Sequence, residues 1–398
     1  MSNLELIPQN IDVTLHGGGG GLPRALKGMA EALPDANIAA VVATGDGGSA
    51  TGISREVYET VALGDAWKTV AAVSTNKAAA ILKHRFGPHE TADDFRSRSE
   101  SLLGVLATVR GVDTDTAAAI LEDMADSLKE LPSGVQKHTY GCLALTALTL
   151  ANGNLASEGI SELSKWAAVP RNIRIMPITN ERHDAVMWDN GKIIYGEGLI
   201  DDHAVRDPKQ ARVWLQRSRT DESAPKMYEG ARLADARARL VGVGPGSIWT
   251  SEIPSVAADG EVEALAEQKR NGGILALFGN LFQERNSTTG MALSNYVEKL
   301  QGPTGPNNDR EITGRPFDVA ISDKGVVTLP AGLLRIEHDA DTLSEMGVRS
   351  LTGNVARLVK SHIDPNDPIA HMRSEATGVE HDMSGVVSVL REHELVKV

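Results

Sequence analysis

Residues 37–55 read NIAAVVATGDGGSATGISR. The apolar run Ile38, Ala39, Ala40, Val41, Val42 and Ala43 has the pattern of a strand buried on both faces. It stops at Thr44 and Gly45, and Asp46, Gly47, Gly48 and Ser49 follow. A buried parallel strand that ends in a loop of small residues is where open α/β sheets hold ligands. Glycines there let backbone N–H groups turn toward an anion with no Cβ in the way. Asp46 then needs a partner, which a metal ion, a sugar hydroxyl or a ring N–H would supply. An ordinary turn uses the same residue types, so both readings stand at this point.

Upstream, Ile11, Val13 and Leu15 alternate ahead of five glycines at 17–21, and Leu22, Leu26, Met29, Ala30 and Leu33 recur at helical spacing. Pro23 suits the first turn of that helix, where its missing N–H costs nothing. The first 45 residues therefore predict a strand, a glycine loop, a helix and a second parallel strand, joined by a right-handed crossover. Downstream, residues 56–86 are helical in composition, and residues 91–131 predict two amphipathic helices. The second starts near Asp113 and Thr114 and places Ile120, Leu121, Met124, Leu128 and Leu131 on one face. Two helices with no strand between them break the α/β alternation, so residues 87–135 are assigned to an inserted helical subdomain.

Residues 141–151 predict an apolar helix and 173–178 a strand. Residues 184–197 predict a hairpin turning at Asp189, Asn190 and Gly191, of the kind that decorates the edge of a parallel sheet. Residues 205–232 are charged and poor in large aliphatics. Strands at 240–243, 273–278 and 318–321 follow, with a flexible Gly/Pro/Asn loop at 302–308.

A formal charge of −13 excludes bulk attraction to nucleic acid, which needs a basic face. The single cysteine, Cys142, excludes an internal disulfide and a Cys-x-x-Cys zinc site; within its apolar helix it reads as a small buried residue. The first residues, MSNLELIPQNID, lack the basic and apolar regions of a secretory signal. No apolar run reaches the ~18 residues of a membrane span. The expected location is the cytoplasm.

Three glycine loops each follow a predicted strand: Gly18, Gly19, Gly20 and Gly21; Asp46, Gly47, Gly48 and Ser49; Gly244, Gly246 and Ser247. One such loop is weak, but three at the C-terminal ends of parallel strands converge on one sheet edge. The first is not a G-x-G-x-x-G fingerprint, since Leu22 and Pro23 occupy the wrong places. A helix N-terminus after it still favours phosphate. Residues 244–251, GPGSIWTS, are the most specific stretch, with Ser247, Thr250 and Ser251 able to donate to phosphate or sugar oxygens. Trp249 either stacks on a ligand ring or packs in the core. His138 either meets a phosphate or lines a helix start. No serine or cysteine triad is present.

The order of GGGGG at 17–21, DGGS at 46–49, KHTYG at 137–141, GPGSIWTSEIP at 244–254 and NLF at 280–282 resembles the YvcK/CofD-like family, from about residue 14 to residue 295, with a weaker echo at 362–365. The resemblance implies a Rossmann-like α/β fold, a mostly parallel sheet flanked by helices, assembled as a homo-oligomer. Its gluconeogenesis-factor branch binds UDP-sugars and affects carbon use and cell-wall formation. Its transferase branch moves a phospholactyl group to a deazaflavin alcohol with a divalent metal. A phosphorylated nucleotide or UDP-sugar is thus the implied ligand. The three loops, His138, Trp249, Thr250 and Asn280 would line its site, and Asp46 would be a catalytic group and Mg²⁺ ligand only in the transferase branch. This chain departs from the family at Gly20, where Thr is usual, and at Gly45, where one of two paired acids is usual. It departs again at 73–77 and 283–288. Losing an acid weakens a Mg²⁺ site, which wants carboxylates, and favours binding of a phosphorylated sugar. In domain terms, residues 1–86 and 136–330 form the nucleotide-binding core around the 87–135 insertion, and residues 331–398 form an extension packed on it.

Overall fold

Strands β1 (Ile11–Gly17) and β2 (Ile38–Val42) run parallel, Val13 opposite Ile38 and Gly17 opposite Val42, with helix α1 (Gly21–Ala32) crossing between them. This is the unit that the alternation in β1 and the apolar run in β2 predict. The computed structural model describes residues 8–45, 47–132, 134–284, 286–329, 332–359 and 378–396; Asp46 and residues 362–365 lie outside them.

Seven helices separate β2 from β3 (Ile173–Pro177): α2 (Ser49–Tyr58), α3 (Gly64–Ala72), α4 (Ala78–Leu82), α5 (Ala92–Leu106), α6 (Thr114–Ser127), α7 (Tyr140–Ala151) and α8 (Ala156–Trp166). Side-chain caps set where three of them begin. Thr91 and Asp94 form a capping box on α5, Asp113 accepts from the first turn of α6, and Thr139 accepts from Cys142 on α7. Helix α7 is largely apolar and buried on every face from Tyr140 to Thr149, Cys142 included. Phe95 and Leu102 of α5 and Leu121 and Met124 of α6 belong to the same apolar core as β1 and β2.

The antiparallel trio β4 (Asp184–Asp189), β5 (Lys192–Tyr195) and β6 (Arg212–Gln216) follows, in the order β5-β4-β6. Asn190 and Gly191 turn the hairpin at φ +48° and +83°, the left-handed pair such a turn requires. Two expectations change here. The trio is a separate sheet and does not extend the parallel one. Strand β6, RVWLQ, lies inside the stretch marked only by its charge, because its buried Val213 and Leu215 are few against charged flanks.

After α9 (Glu197–Asp201) and α10 (Glu229–Arg237) come β7 (Ala238–Val243), a single π-helical turn (Ile248–Glu252), α11 (Ile253–Val256), α12 (Glu261–Arg270) and β8 (Ile274–Phe278). Beyond α13 (Leu293–Gln301), a small ribbon, β9 (Pro303–Thr304) with β10 (Arg310–Glu311), forms where the composition suggested only a loop. Then follow β11 (Val319–Asp323), α14 (Ala340–Glu345), β12 (Arg349–Gly353), β13 (Ala356–Leu358) paired with β14 (Val379–His381), and α15 (Met383–Glu392).

The main sheet has the order β12-β11-β8-β7-β1-β2-β3, and every pair in it is parallel. Its strands alternate between two cores, as a sheet covered on both faces must. Ile38, Ala40 and Val42 face α1, α3, α7, α8 and α15, while Ala39 and Val41 face the antiparallel trio, α10 and α11. Among the described residues no helix is long and apolar enough to cross a membrane.

Candidate functional site

In this strand order the chain leaves β1 toward β2 and β3 on one side, and later leaves β7 toward β8 on the other. The crevice between β1 and β7 is therefore the topological switch point, where α/β sheets bind ligands. The loops after β1, β2 and β7 share that edge. The Ala43 N–H donates to the Gly17 carbonyl at 2.9 Å, and the Gly244 N–H donates to the His16 carbonyl at 3.0 Å.

The first and third loops interlock. A Cβ on Gly21 would stand 2.0 Å from the Pro245 carbonyl oxygen, so only glycine fits. Ser251 Oγ lies 3.4 Å and 3.3 Å from the Cβ positions of Gly18 and Gly19, and the side chain also packs on Gly246. Asn280, expected to contact a ligand, instead clamps the Gly246 peptide. Its Oδ1 accepts the Gly246 N–H at 3.0 Å and its Nδ2 donates to the Gly246 carbonyl at 2.5 Å. Nothing in the sequence pointed to Asp65, at the start of α3. Its Oδ2 accepts the N–H of Gly19 (φ +58°) at 2.5 Å and its Oδ1 pairs with Lys68 at 2.9 Å. That N–H is therefore engaged by the protein's own carboxylate. Helix α1 begins at Gly21 with no side-chain cap, and the Arg24 guanidinium lies 2.8 Å from the Cβ position of Gly20. An uncapped N-terminus and a guanidinium, both of which favour an anion, thus lie at this end of the crevice beside the Asp65 carboxylate.

The second loop is wedged between α2 and α9. A Cβ on Gly52 would be 2.1 Å from the Gly47 carbonyl oxygen, and one on Gly198 would be 3.1 Å from Gly48 Cα. Ser49 is the first residue of α2. Two buried imidazoles back this loop. His183 was not singled out by sequence; its Nε2 lies 3.5 Å from the Cβ position of Gly45, and burial pushes its pKa down to about 4. His138 is fully buried, donates from Nδ1 to the Gln136 carbonyl (3.1 Å), lies near the Ala50 backbone, and is also held below its ordinary pKa by burial. Both are neutral near pH 7, and neither Nε2 has a hydrogen-bond partner among the described residues. Arg55, buried on α2, donates to the His183 carbonyl and to Asp184 Oδ1 (2.8 Å).

Beneath the third loop lies a pair of acids, Glu252 and Glu284. Glu252, in the π-helical turn, is fully buried with Oε1 2.8 Å from the Cβ position of Gly244; burial first, and the Glu284 charge second, hold its pKa well above the carboxylate range. Glu284 contacts Ser247 and Ser287, and burial followed by the Asp201 charge pushes its pKa up to about 7. Trp249 is corrected to a core residue. It is 1% exposed and its indole N–H donates to the Ser287 carbonyl at 3.3 Å, which leaves no ring face open for stacking. Thr250 is buried as well.

The donor set does not fit the Mg²⁺ that the family resemblance associates with Asp46. Where the second acid of that pair would stand, Gly45 opens onto the neutral His183 ring. An imidazole is a poor substitute for the hard oxygen donors that Mg²⁺ takes.

The profile of the family described as 2-phospho-L-lactate transferase CofD matches residues 13–356. Proteins of Aquifex aeolicus and Deinococcus radiodurans that carry gluconeogenesis-factor names are each 26% identical, over 66% and 91% of this chain. The chain spans 65% and 64% of the lengths of those two relatives. The crystal structure of protein BH3568 from Bacillus halodurans superposes with a TM-score of 0.68 over 96% of this chain and 99% of that one, at 19% identity. That likeness bears on the fold.

Proposed function

The chain belongs to the CofD family, and we propose on that basis that its β1–β7 crevice binds the phosphate groups of a nucleotide or nucleotide sugar. The protein would act as a cytoplasmic, homo-oligomeric regulator of the gluconeogenesis-factor kind, linked to carbon metabolism and cell-wall formation. The observation that carries this reading is the interlock of Gly21 with Pro245. It holds two glycine loops at the switch point, next to an uncapped helix N-terminus and Arg24. Asp65 and Asn280 brace the loops from behind, so that little order is lost when an anion enters. In this reading Asp46 would accept a hydrogen bond from the sugar or the base.

Calorimetric titration and thermal melts with UDP-N-acetylglucosamine and GDP, each with and without Mg²⁺, test the proposal. A ligand at roughly 100 times its Kd stabilises a protein by about 2.7 kcal/mol. A UDP-sugar is expected to raise the melting temperature without Mg²⁺ and to be recovered unchanged. If no phosphorylated nucleotide shifts the melt, the crevice is not a nucleotide site. Metal-dependent turnover of a phospholactyl donor would replace the regulator by the transferase.

A further inference from the structure

One buried cluster plays no part in the crevice. His16, next to last in β1, turns away from Val13 and Leu15 and lies against α10, α11 and α12. There it meets Asp235 on α10, Ser255 on α11 and Glu261, the first residue of α12. His16, Asp235 and Glu261 are each 0% exposed. His16 Nδ1 is 2.7 Å from the Ser255 carbonyl oxygen. A carbonyl only accepts, so Nδ1 carries a proton and the lone pair of the neutral ring sits on Nε2. That nitrogen is 2.9 Å from Asp235 Oδ1. Asp235 Oδ2 and both Glu261 oxygens accept from no N–H or hydroxyl among the described residues, and the two carboxyl groups stand within hydrogen-bond reach of each other. One ligand atom from each of the three side chains lies within 4.8 Å of the others.

We propose that His16, Asp235 and Glu261 form a buried site for a divalent transition metal of the Mn²⁺ or Zn²⁺ class. Three features support it. An Nδ1–H bonded to a backbone carbonyl is the outer contact that orients a metal-ligating imidazole. One imidazole nitrogen and two carboxylates are donors that Zn²⁺ and Mn²⁺ both accept. Two carboxylates, a neutral imidazole and a divalent ion sum to zero charge, which removes the cost of burying unpaired carboxylate oxygens. Tetrahedral ligands about 2.0–2.2 Å from one ion stand about 3.3–3.6 Å apart, so a pair at the 4.8 Å limit would close by about 1.2–1.5 Å, within the reach of side-chain rotation. The ion pins the end of β1, immediately before the first glycine loop, to α10 and α12. With its ligands wholly buried, it enters during folding and exchanges slowly.

The as-purified full chain is assayed for metal by elemental mass spectrometry. It is then unfolded with chelator and refolded with no metal, Mg²⁺, Mn²⁺, Zn²⁺ or Co²⁺. We expect about one equivalent of Mn²⁺ or Zn²⁺ per chain, a higher melting temperature than the metal-free protein, and visible absorption with Co²⁺. Glu261→Gln and His16→Gln lose the ion, while Asp46→Asn retains it. Wild-type protein that holds less than about a tenth of an equivalent and melts alike with and without metal overturns the proposal. So does an ion lost from Asp46→Asn and kept by Glu261→Gln, which places it at the second glycine loop. The count does not depend on any nucleotide, so failure of the crevice to bind one leaves this result intact.

Discussion

A Cβ on Gly21 would meet the Pro245 carbonyl oxygen at 2.0 Å, and backbone cannot yield as a flexible side chain can. Gly21→Ala should therefore push the first and third loops apart, cost about 1–3 kcal/mol in chemical denaturation, and abolish nucleotide-induced stabilisation. Gly20→Ala makes the contrast. Its backbone is right-handed and the nearest atom is the movable end of Arg24, so its denaturation midpoint should stay close to wild type. Glu284 gives a second prediction at this scale. With its pKa raised to about 7 from 4.5, the folded protein holds a proton that the unfolded chain releases between those values. Its contribution to stability is then full below pH 4.5 and lost as pH rises through about 7. Replacing it as Glu284→Gln should remove that loss. The variant should gain about 1–2 kcal/mol over wild type at pH 8 and much less at pH 5, after discount for its partial exposure. Parallel stability curves for the two proteins from pH 5 to 8 would show that Glu284 titrates normally.

Helix α2 is held to β4 by one buried guanidinium, which reaches the His183 carbonyl and Asp184 Oδ1 from Arg55. Truncation to Ala leaves both acceptors short of a donor and should cost about 2–3 kcal/mol in a denaturant titration, since Asp184 keeps some solvent. Both bonds leave from the single nitrogen Nη2, so Arg55→Lys, whose ammonium also carries several N–H donors on one nitrogen, should recover part of the loss. Links of this kind mark where sequence reading stops. Local signals were readable: the run in β2, the alternation in β1, the cap residue Asp113 before α6, and the Asn190-Gly191 turn. Each works through neighbours a few residues apart. Asp65 accepts from a residue 46 positions away and Arg55 donates to one 128 positions away, and no periodicity encodes such a pair. Trp249 was open between stacking and core, and only packing decided it. The glycine loops were readable as loops because their composition is itself the constraint, but which amides they spend on Asp65 and Asn280 was not.

At the scale of the whole molecule, the match to the family ends at residue 356, yet the chain beyond it is built into the core. Met383, Val386, Val387, Val389 and Leu390 of α15 are buried. A Cβ on Gly28 of α1 would be 2.7 Å from Met383 Cβ, one on Gly353 would be 2.2 Å from Val389 Cγ2, and one on Gly385 would be 2.0 Å from the Asn354 carbonyl oxygen. His381 of β14 lies 3.0 Å from the Gly279 carbonyl, next to the Asn280 clamp, and burial holds its pKa down at about 4. The C-terminal arm thus covers α1, the helix whose first turn faces the crevice, and braces the end of β8. Each fully buried aliphatic side chain is worth about 1.5–3 kcal/mol, so five of them approach the ~5–15 kcal/mol by which a whole domain is stable. A chain ending at residue 377 should therefore fail to reach a stable native state. Its near-ultraviolet circular dichroism should be lost, and gel filtration should show aggregates in place of a single species. A truncated protein that melts within about 3 °C of the full chain, a change of under ~2.5 kcal/mol at this size, would make α15 an appended cover. The crevice would then owe its geometry to the sheet alone.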